Sequence, residues 1–259
     1  MDVALERLVG SIRGIGVCPG DTVMVHASMR QVGVRAEVLL DAMEAAVGGD
    51  GHILMLVCAP EGRFDPVESP AWADLGVLSE VFRTRAGVVL NEHPVARMGA
   101  WGPGAEALVG NPPHNDYFGP GSPLERFVHH GGKVLRLGAD YDTVTLFHYA
   151  EYVADVPDKR RRRWSVDVVR SDVVQRIHGS CLDDNNGIRY WDHGKDYFEQ
   201  ILVDYLRTER PQTGVIGGAP SELLDAEDAT RFAVAWLERA FGDVTSVRVH
   251  GAVRVERSD

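Results

Sequence analysis

His148 and Glu151 are the pair of residues in this sequence best suited to moving a proton. They stand three apart, after a strand-like apolar run over 133–138 and a short polar turn over 139–143. On a helix this spacing puts both side chains on one face. A carboxylate beside an imidazole favours the protonated ring and fixes its orientation. The pair is therefore a candidate general base, although the same spacing also occurs in ordinary surface hydrogen bonds of helices.

The elements predicted around this pair indicate where it lies. A strand, a turn and a helix in succession place the start of the helix at the carboxyl edge of a sheet, where open α/β sheets bind their ligands. The strand–helix–strand order over 22–57 predicts a parallel unit with a crossover helix. Apolar runs predict strands at 22–26, 53–57, 88–90 and 133–137, and helical spacing predicts helices at 4–15, 38–47, 76–83, 198–207 and 225–241.

The remaining segments complete the predicted fold. Residues 59–74 and 111–123 are rich in Pro and polar residues and predict long irregular loops. Alternating apolar residues predict a hairpin over Ser165–Leu182 and an edge strand over 244–255. We therefore predict an α/β fold, namely one three-layer α/β/α domain over 1–259. Its central sheet is mostly parallel or mixed, and a strand-containing lobe is inserted at about 155–200.

Charge narrows the choice of partner. The formal net charge is -11, so nucleic acid is not an expected partner, because phosphate binding needs a basic surface. An acidic protein can attract a cationic ligand, although excess acid also serves only to keep a protein soluble. The basic run Lys159–Arg163 is typical of a solvated loop, and a contact with a cofactor phosphate is the alternative.

The predicted location is the cytosol. No apolar run approaches the roughly 20 residues that span a bilayer, so no membrane contact is expected. The first residues lack the basic-then-apolar pattern of a secretory signal. The cysteines at 18, 58 and 181 have no paired spacing, which argues against a disulfide framework or a structural zinc site.

Three further groups of residues have types that suit ligand binding. Residues 26–33 end a strand and enter a turn, whose amides and hydroxyl can hold a phosphate or a pantetheine amide. Residues 118–123 form a rigid Gly-Pro turn that can approach a ligand closely. Loop carboxylates suit an amine-bearing ligand, because each ammonium group favours a charge-assisted partner, and they occur at Asp65, Glu68, Asp183 and Asp184.

Taken together, these motifs resemble the aminoglycoside 3-N-acetyltransferase family of antibiotic acetyltransferases. The resemblance runs from about Leu5 to Leu237 and keeps the order of the family's motifs. These are His26-Ala27-Ser28-Met29-Arg30 with Gly33, Phe64-Asp65-Pro66, Ser69-Pro70, Gly76–Glu80, His93-Pro94, Gly102-Pro103, Gly119–Pro123, Leu137-Gly138, Asp142, Thr145, His148, Glu151 and Gly214–Ala219. The sequence departs from the pattern at Ala27, at Leu90-Asn91 and at Val57–Pro60.

The resemblance implies an activity. It implies direct transfer of an acetyl group from acetyl-CoA to the 3-amino group of an aminoglycoside, without an acyl-enzyme and without a metal. His148 then accepts the proton of the amine, Glu151 orients or charges the imidazole, and Asp142 is a second candidate partner. The inserted lobe falls on the substrate side, the physiological outcome is antibiotic resistance, and the protein is a monomer or homodimer.

The resemblance also assigns contacts. It implies acetyl-CoA contacts at His26, Ala27, Ser28, Met29, Arg30, Gly33, Phe118, Ser122 and Thr145. It implies aminoglycoside contacts at Asp65, Glu68, Asp142, Glu151, Asp183 and Asp184.

Other classes of function remain open from the residues alone. Cys58 at a strand end and His148 could serve a cysteine hydrolase, and the ten histidines with Asp192-His193 could serve a metal-dependent hydrolase. A polycation-binding protein and an acetyltransferase acting on another amine are further alternatives. A thiol reagent, a chelator and an assay for release of CoA thiol separate these possibilities.

Overall fold

A seven-stranded mixed sheet forms the centre of the structure, a computed structural model that describes residues 3–157, 159–171, 173–183, 187–188 and 196–242. The strands are β1 (Thr22–Ala27), β2 (His52–Leu56), β3 (Val88–Leu90), β4 (Met98–Trp101), β5 (Lys133–Leu137), β6 (Arg161–Arg170), β7 (Val173–Leu182), β8 (Gln212–Ile216) and β9 (Ala219–Asp225). In the main sheet their order is β3-β4-β2-β1-β5-β9-β8, and β6 pairs with β7 in a separate two-stranded sheet.

β1 lies at the point where the chain changes direction across the sheet. It is parallel to β2 on one side and to β5 on the other, whereas β4 and β9 are antiparallel to their neighbours. The chain therefore builds one half of the sheet after β1 and then returns to build the other half. The carboxyl ends of β1, β2 and β5 meet at one edge beside this switch point, where doubly wound sheets bind ligands.

Helices cover both faces of the sheet. They are α1 (Val3–Gly14), α2 (Met29–Val32), α3 (Ala36–Val47), α4 (Val77–Arg83), α5 (Ala105–Val109), α6 (Pro123–His129), α7 (Leu146–Val153), α8 (Tyr197–Leu206) and α9 (Ala226–Phe241). Successive side chains of β1 point to opposite faces of the sheet and enter two different hydrophobic cores. Val23 and Val25 pack with α1 and α3, whereas Met24 packs with α6 to α9. The three-layer α/β/α prediction is confirmed.

The β6–β7 hairpin is the predicted inserted strand pair. It is ten residues long on each side and is attached to the main body by backbone hydrogen bonds and by buried side chains. Backbone hydrogen bonds join Phe64 to Asp167 and Val169, and the side chains of Trp164 and Cys181 are buried in the same core as α7 and α9. That this segment is a lobe of a single domain on the substrate side stays a prediction.

Within the described residues, the elements predicted from the sequence are present, with ends that differ by at most four residues. Missing from the prediction are β4, the β8–β9 pair and three short helices, α2, α5 and α6. β9 breaks the apolar pattern of a central strand because Ser221 and Glu222 are both buried in it. The edge strand predicted over 244–255 lies outside the described residues. No helix in the described part of the chain is long and apolar enough to cross a membrane.

Arg97 braces the long loop that follows β2. Its side chain is fully buried and donates to the carbonyl oxygens of Val57 at 2.9 Å, Pro66 at 3.3 Å, Ser69 at 2.8 Å and Pro70 at 3.1 Å. Burial lowers the pKa of this guanidinium to about 10, so it remains charged at neutral pH. A single cation thereby satisfies the backbone of a segment that has little regular structure of its own.

We expect Arg97→Met to lower the free energy of unfolding by about 3 kcal/mol or more, because four carbonyl oxygens lose their donor together. Chemical denaturation followed by circular dichroism measures the change. Arg35→Met is the control, since that side chain is 80% exposed, and it should leave the free energy of unfolding nearly unchanged. Equal stability of the two variants would show that Arg97 does not brace the loop.

Candidate functional site

A cavity of about 360 Å³ opens where β1, β2 and β5 end. Its wall consists of residues 25–28 at the end of β1, 55–56 at the end of β2, part of the turn over 139–143, and part of the 74–79 segment. Thr145, His148 and Phe198 complete it. The structure thus places His148 at the edge of the sheet where the order of strand, turn and helix predicts it.

His148 and Glu151 are hydrogen-bonded on α7. Nδ1 of the ring lies 2.8 Å from Oε2 of Glu151, whose residue is only 1% exposed. An ionised carboxylate can only accept, so Nδ1 carries the hydrogen. In the neutral ring the lone pair is therefore on Nε2. This tautomer, held by a buried carboxylate, is the one that a general base needs.

Two phenylalanine rings hold the imidazole in place. Phe118 stacks on the ring of His148 with centroids 5.1 Å apart and an interplanar angle of 9°. Phe198 meets the same ring at 64° with centroids 4.8 Å apart. The two contacts come from the 111–123 loop and from the start of α8, so tertiary packing orients the ring independently of the helix that carries it.

The mouth of the cavity is acidic. Asp74, Asp140 and Asp142 line it and are exposed, and none of the described residues that line it is Lys or Arg. Carboxylates gathered at an opening attract cations and raise their local concentration. The electrostatics of the cavity therefore favour a ligand with several positive charges.

The comparison with known proteins fixes the family. The sequence model of the aminoglycoside 3-N-acetyltransferase family matches residues 24–238. This chain belongs to the aminoglycoside 3-N-acetyltransferase family. A curated relative, aminoglycoside N(3)-acetyltransferase III of Serratia marcescens, is 35% identical over 266 residues, which cover 92% of this chain and 98% of that protein. Enzymes so named are acyltransferases.

Two solved structures of the family are closely similar. AAC-VIa bound to sisomicin is 36% identical, with a TM-score of 0.87, and the match covers 92% of this chain and 98% of that one. AAC-IIIb in a binary complex with CoASH is 33% identical, with a TM-score of 0.86, over 92% of this chain and 97% of that one. The seven-stranded sheet and its helices are thus the fold of aminoglycoside acetyltransferases.

Four of the residues predicted to contact acetyl-CoA in this acetyltransferase line the cavity, namely His26, Ala27, Ser28 and Thr145. The others lie outside its lining. Met29 and Arg30 are in α2, which Gly33 ends with a positive φ of 75°. Ser122 is fully buried, and its hydroxyl accepts from the backbone N–H of Glu125 at the start of α6. Phe118 contacts His148 as described above.

Among the residues predicted to contact the aminoglycoside, Asp142 lines the cavity. Glu151 lies beneath His148 and is closed off by its own hydrogen bonds. Asp65 Oδ1 accepts from the backbone of Val67 and Glu68, and these bonds lower the pKa of the Asp65 carboxyl. Asp65 and Glu68 form this turn outside the lining.

The 183–195 region is only partly described. Asp183 Oδ2 lies 3.7 Å from Arg160 Nε and is likewise outside the lining. Asp184 and Asp192-His193 are not among the described residues. Asp183 thus directly follows β7 and has a cationic neighbour.

Cys58 and the metal alternative can be weighed against this geometry. The Cys58 thiol donates to the carbonyl oxygens of Val95 at 3.3 Å and Arg97 at 3.7 Å, and Cys58 does not line the cavity that contains His148. A Cys58–His148 nucleophile pair therefore has no support in the structure. The described residues contain no group of three or more His, Cys, Asp or Glu side chains placed to hold a metal ion.

The sequence reasoning missed Tyr197, whose phenol bonds Glu151, and Phe198, which contacts His148. They are about 50 residues further along the chain, and only tertiary packing brings them to α7. An N-cap signal was available at Asp196, whose side chain accepts from the Phe198 N–H at 2.7 Å. That signal locates the start of α8 but not the partner of its first residue.

His26 at the end of β1 is held neutral. Burial, and to a smaller extent the charge of the neighbouring Arg136, lower the pKa of its ring to about 3. Its Nε2 is buried, and no described protein group bonds it, although other atoms of the residue border the cavity. An uncharged ring fits a role as a hydrogen-bonding group within the wall.

We expect acid to destabilise the protein through His26. The unfolded ring takes up a proton near pH 6.5, whereas the folded ring does not until about pH 3, so stability is present above pH 6.5 and is lost as the pH falls below it. Between pH 7.5 and 5.0, His26→Asn should lose less stability than the parent by up to about 2 kcal/mol. Denaturant titrations measure this, with His129→Asn, an exposed histidine, as the control. Identical pH dependence in all three proteins would contradict the assignment.

Proposed function

We propose that this protein transfers the acetyl group of acetyl-CoA to the 3-amino group of an aminoglycoside, with His148 as general base. The observation that carries the proposal is the buried Glu151–His148 pair at an acidic cavity, in a chain of this family. Relatives named as N(3)-acetyltransferases, and neighbours solved with sisomicin and with CoASH, support the choice of both substrates. Resistance to the drug is the physiological outcome that we propose.

The cavity is suited to the first requirement of the reaction, an amine held in place and freed of its proton. Aminoglycoside amines are mostly protonated at neutral pH, and Asp74, Asp140 and Asp142 offer charge-assisted partners for ammonium groups. His148 Nε2 then removes the proton from the amine that will react. Glu151 stabilises the imidazolium that results, because its negatively charged carboxylate stays hydrogen-bonded to Nδ1.

The chemical step is a direct attack. The amine lone pair forms a bond to the thioester carbonyl carbon, and the C–S bond breaks as the tetrahedral intermediate collapses. The electron pair leaves on the CoA sulfur, which takes the proton from the His148 imidazolium and departs as the free thiol, while the second proton on the attacking nitrogen passes to water. No acyl-enzyme and no protein nucleophile is required, which agrees with the position of Cys58 away from the cavity.

We place acetyl-CoA along the end of β1. Ala27 and Ser28 line the cavity there, and Ser28 precedes α2 with no capping hydrogen bond from its hydroxyl. Arg30 is exposed on α2 and supplies a positive charge for the cofactor's phosphates. Thr145 also lines the cavity, at the start of α7.

The decisive experiment is an assay for CoA thiol released from acetyl-CoA in the presence of a panel of aminoglycosides and simple polyamines. Release that requires an aminoglycoside, with the 3-N-acetyl product identified by NMR, supports the proposal. Release with polyamines alone would indicate acetylation of a different amine. No release with any member of the panel would favour a protein that only binds polycations.

We expect His148→Ala to lower turnover by roughly 10²–10⁴-fold, the scale of losing a general base. Binding of the aminoglycoside and of CoA, measured by calorimetry, should change little because the cavity's carboxylates and the end of β1 are untouched. His129→Ala, an exposed histidine, serves as the control. Turnover of His148→Ala within a few-fold of the parent would exclude His148 as the base.

We expect Asp142→Asn to raise the KM for the aminoglycoside by about ten-fold or more, because one charge-assisted contact is worth on the order of 1.5–3 kcal/mol. The KM for acetyl-CoA should stay nearly constant. Steady-state kinetics in each substrate measure the two values, with Asp50→Asn, an exposed carboxylate outside the cavity, as the control. An unchanged KM for two different aminoglycosides would remove Asp142 from the substrate site.

A further inference from the structure

Glu151 has a second hydrogen-bond partner besides His148. Its Oε2 accepts a hydrogen bond from His148 Nδ1, and its Oε1 accepts one from the phenol of Tyr197 at the start of α8. Tyr197 is 5% exposed and Glu151 1% exposed, so this contact is shielded from water. Each oxygen of the carboxylate therefore has its own protein donor, and the two donors approach from different helices.

The phenol is placed to donate. Burial, and then the charge of Glu151, raise the pKa of the Tyr197 hydroxyl far above its ordinary value, so it keeps its proton. A backbone hydrogen bond from Ile188 reaches the same phenolic oxygen. With that N–H directed at the oxygen, the phenol's own hydrogen points to Glu151.

The space around the carboxylate is closed on the remaining side. A Cβ at Gly187 would collide with Glu151 Oε1. Glycine thus allows the 187–188 backbone to come close enough to contact both the carboxylate and the phenol. Glu151 has no room to rotate without breaking the bond to Tyr197.

We propose that Tyr197 is a positioning residue, whose phenol fixes Glu151 against His148 and lowers the affinity of the His148–Glu151 pair for a proton. The inference rests on the proposed role of His148 as the base. Without the phenol, the negative charge of Glu151 acts on the imidazole alone and favours the protonated, inactive ring. The Tyr197 hydroxyl would then determine both the orientation of the base and the pH range in which the base is active.

Other charges also act on this pair and set the background for the test. Asp142, on the turn before α7, lines the same cavity as His148, and Asp196 precedes Tyr197 and interacts with His148. Lys159, before β6, interacts with Glu151, and Asp155 and Glu238 surround Lys159 in turn. These groups are unchanged in a Tyr197→Phe variant. A shift of the pH profile or of the His148 titration in that variant therefore measures the effect of the phenol.

The test is Tyr197→Phe beside Tyr205→Phe. Tyr205 is the matched control, because it lies on the same helix, is 1% exposed and donates to Asp228 Oδ2 at 2.7 Å, away from the cavity. Both variants lose one phenol–carboxylate hydrogen bond, which is buried at Tyr197 and partly buried at Tyr205. A general loss of stability should therefore appear in both, whereas an effect on the base should appear only in Tyr197→Phe.

Two readouts are measured. The first is the pH profile of kcat/KM, whose acidic limb should move to higher pH by roughly one unit in Tyr197→Phe, the size of one charge-assisted hydrogen bond. The plateau kcat should fall roughly 10–100-fold, since misplacing a reacting group by about 1 Å can cost about 10²-fold. The second is the titration of the His148 ring by NMR without substrates, which should shift in the same direction.

The NMR titration separates the two proposals. A raised His148 midpoint with His148→Ala still fully active would retain the Tyr197 contact and reject the base. An unmoved midpoint and unmoved acidic limb in Tyr197→Phe would overturn the role of Tyr197, whatever His148 does. If Tyr197→Phe does not fold, Gly187→Ala displaces the same carboxylate oxygen, and the same upward shift is expected; no shift in that variant would equally overturn the inference.

Discussion

The parallel pairing of β1 with both β2 and β5 is the constraint on which the site depends. It brings three chain segments that are far apart in sequence to one edge of the sheet, and each segment contributes part of the cavity wall. The cores on the two faces then fix the strands that end there, because Val23 and Met24 point into different helical layers. Any change that slid β1 by one residue would exchange these layers and move Ser28 away from His148.

The charged groups that can attract a ligand to the cavity differ from the charged groups that stabilise the protein around it. The carboxylates at the mouth are exposed and available to a ligand, whereas Glu151 is buried and bonded on both oxygens. The cations that brace the wall are bonded inside the protein, Arg97 to backbone carbonyls and Arg136 to Glu222 at 2.6 Å. The supporting cations thus do not compete with a polycationic ligand for the acidic mouth.

Local patterns predicted the fold well because they are governed by short-range rules. The apolar run of β1 and the spacing of α7 identify a strand and a helix from residues within the element itself, without knowledge of its tertiary neighbours. The sequence did not predict β9, because its buried Glu222 is explained only by its ion pair with Arg136, 86 residues earlier in the chain. The same limit applies to the site: the spacing of His148 and Glu151 is readable in the sequence, but the contacts of Phe118 and Tyr197 exist only after packing. Asp65, by contrast, is of a residue type that suits a ligand contact, but in the structure its carboxylate accepts a backbone hydrogen bond within a turn.

The contacts of His148 with Phe118 on its face and with Phe198 at 64° have a consequence for the order of events in turnover. A ring clamped on its face and edge cannot turn over, so Nδ1 stays with Glu151 and Nε2 keeps its direction. In the proposed reaction, a proton gained at Nε2 leaves by the side on which it arrived. Recovery of the proposed base then depends on transfer of that proton to the departing thiolate or to incoming water, and so on the emptying of the cavity.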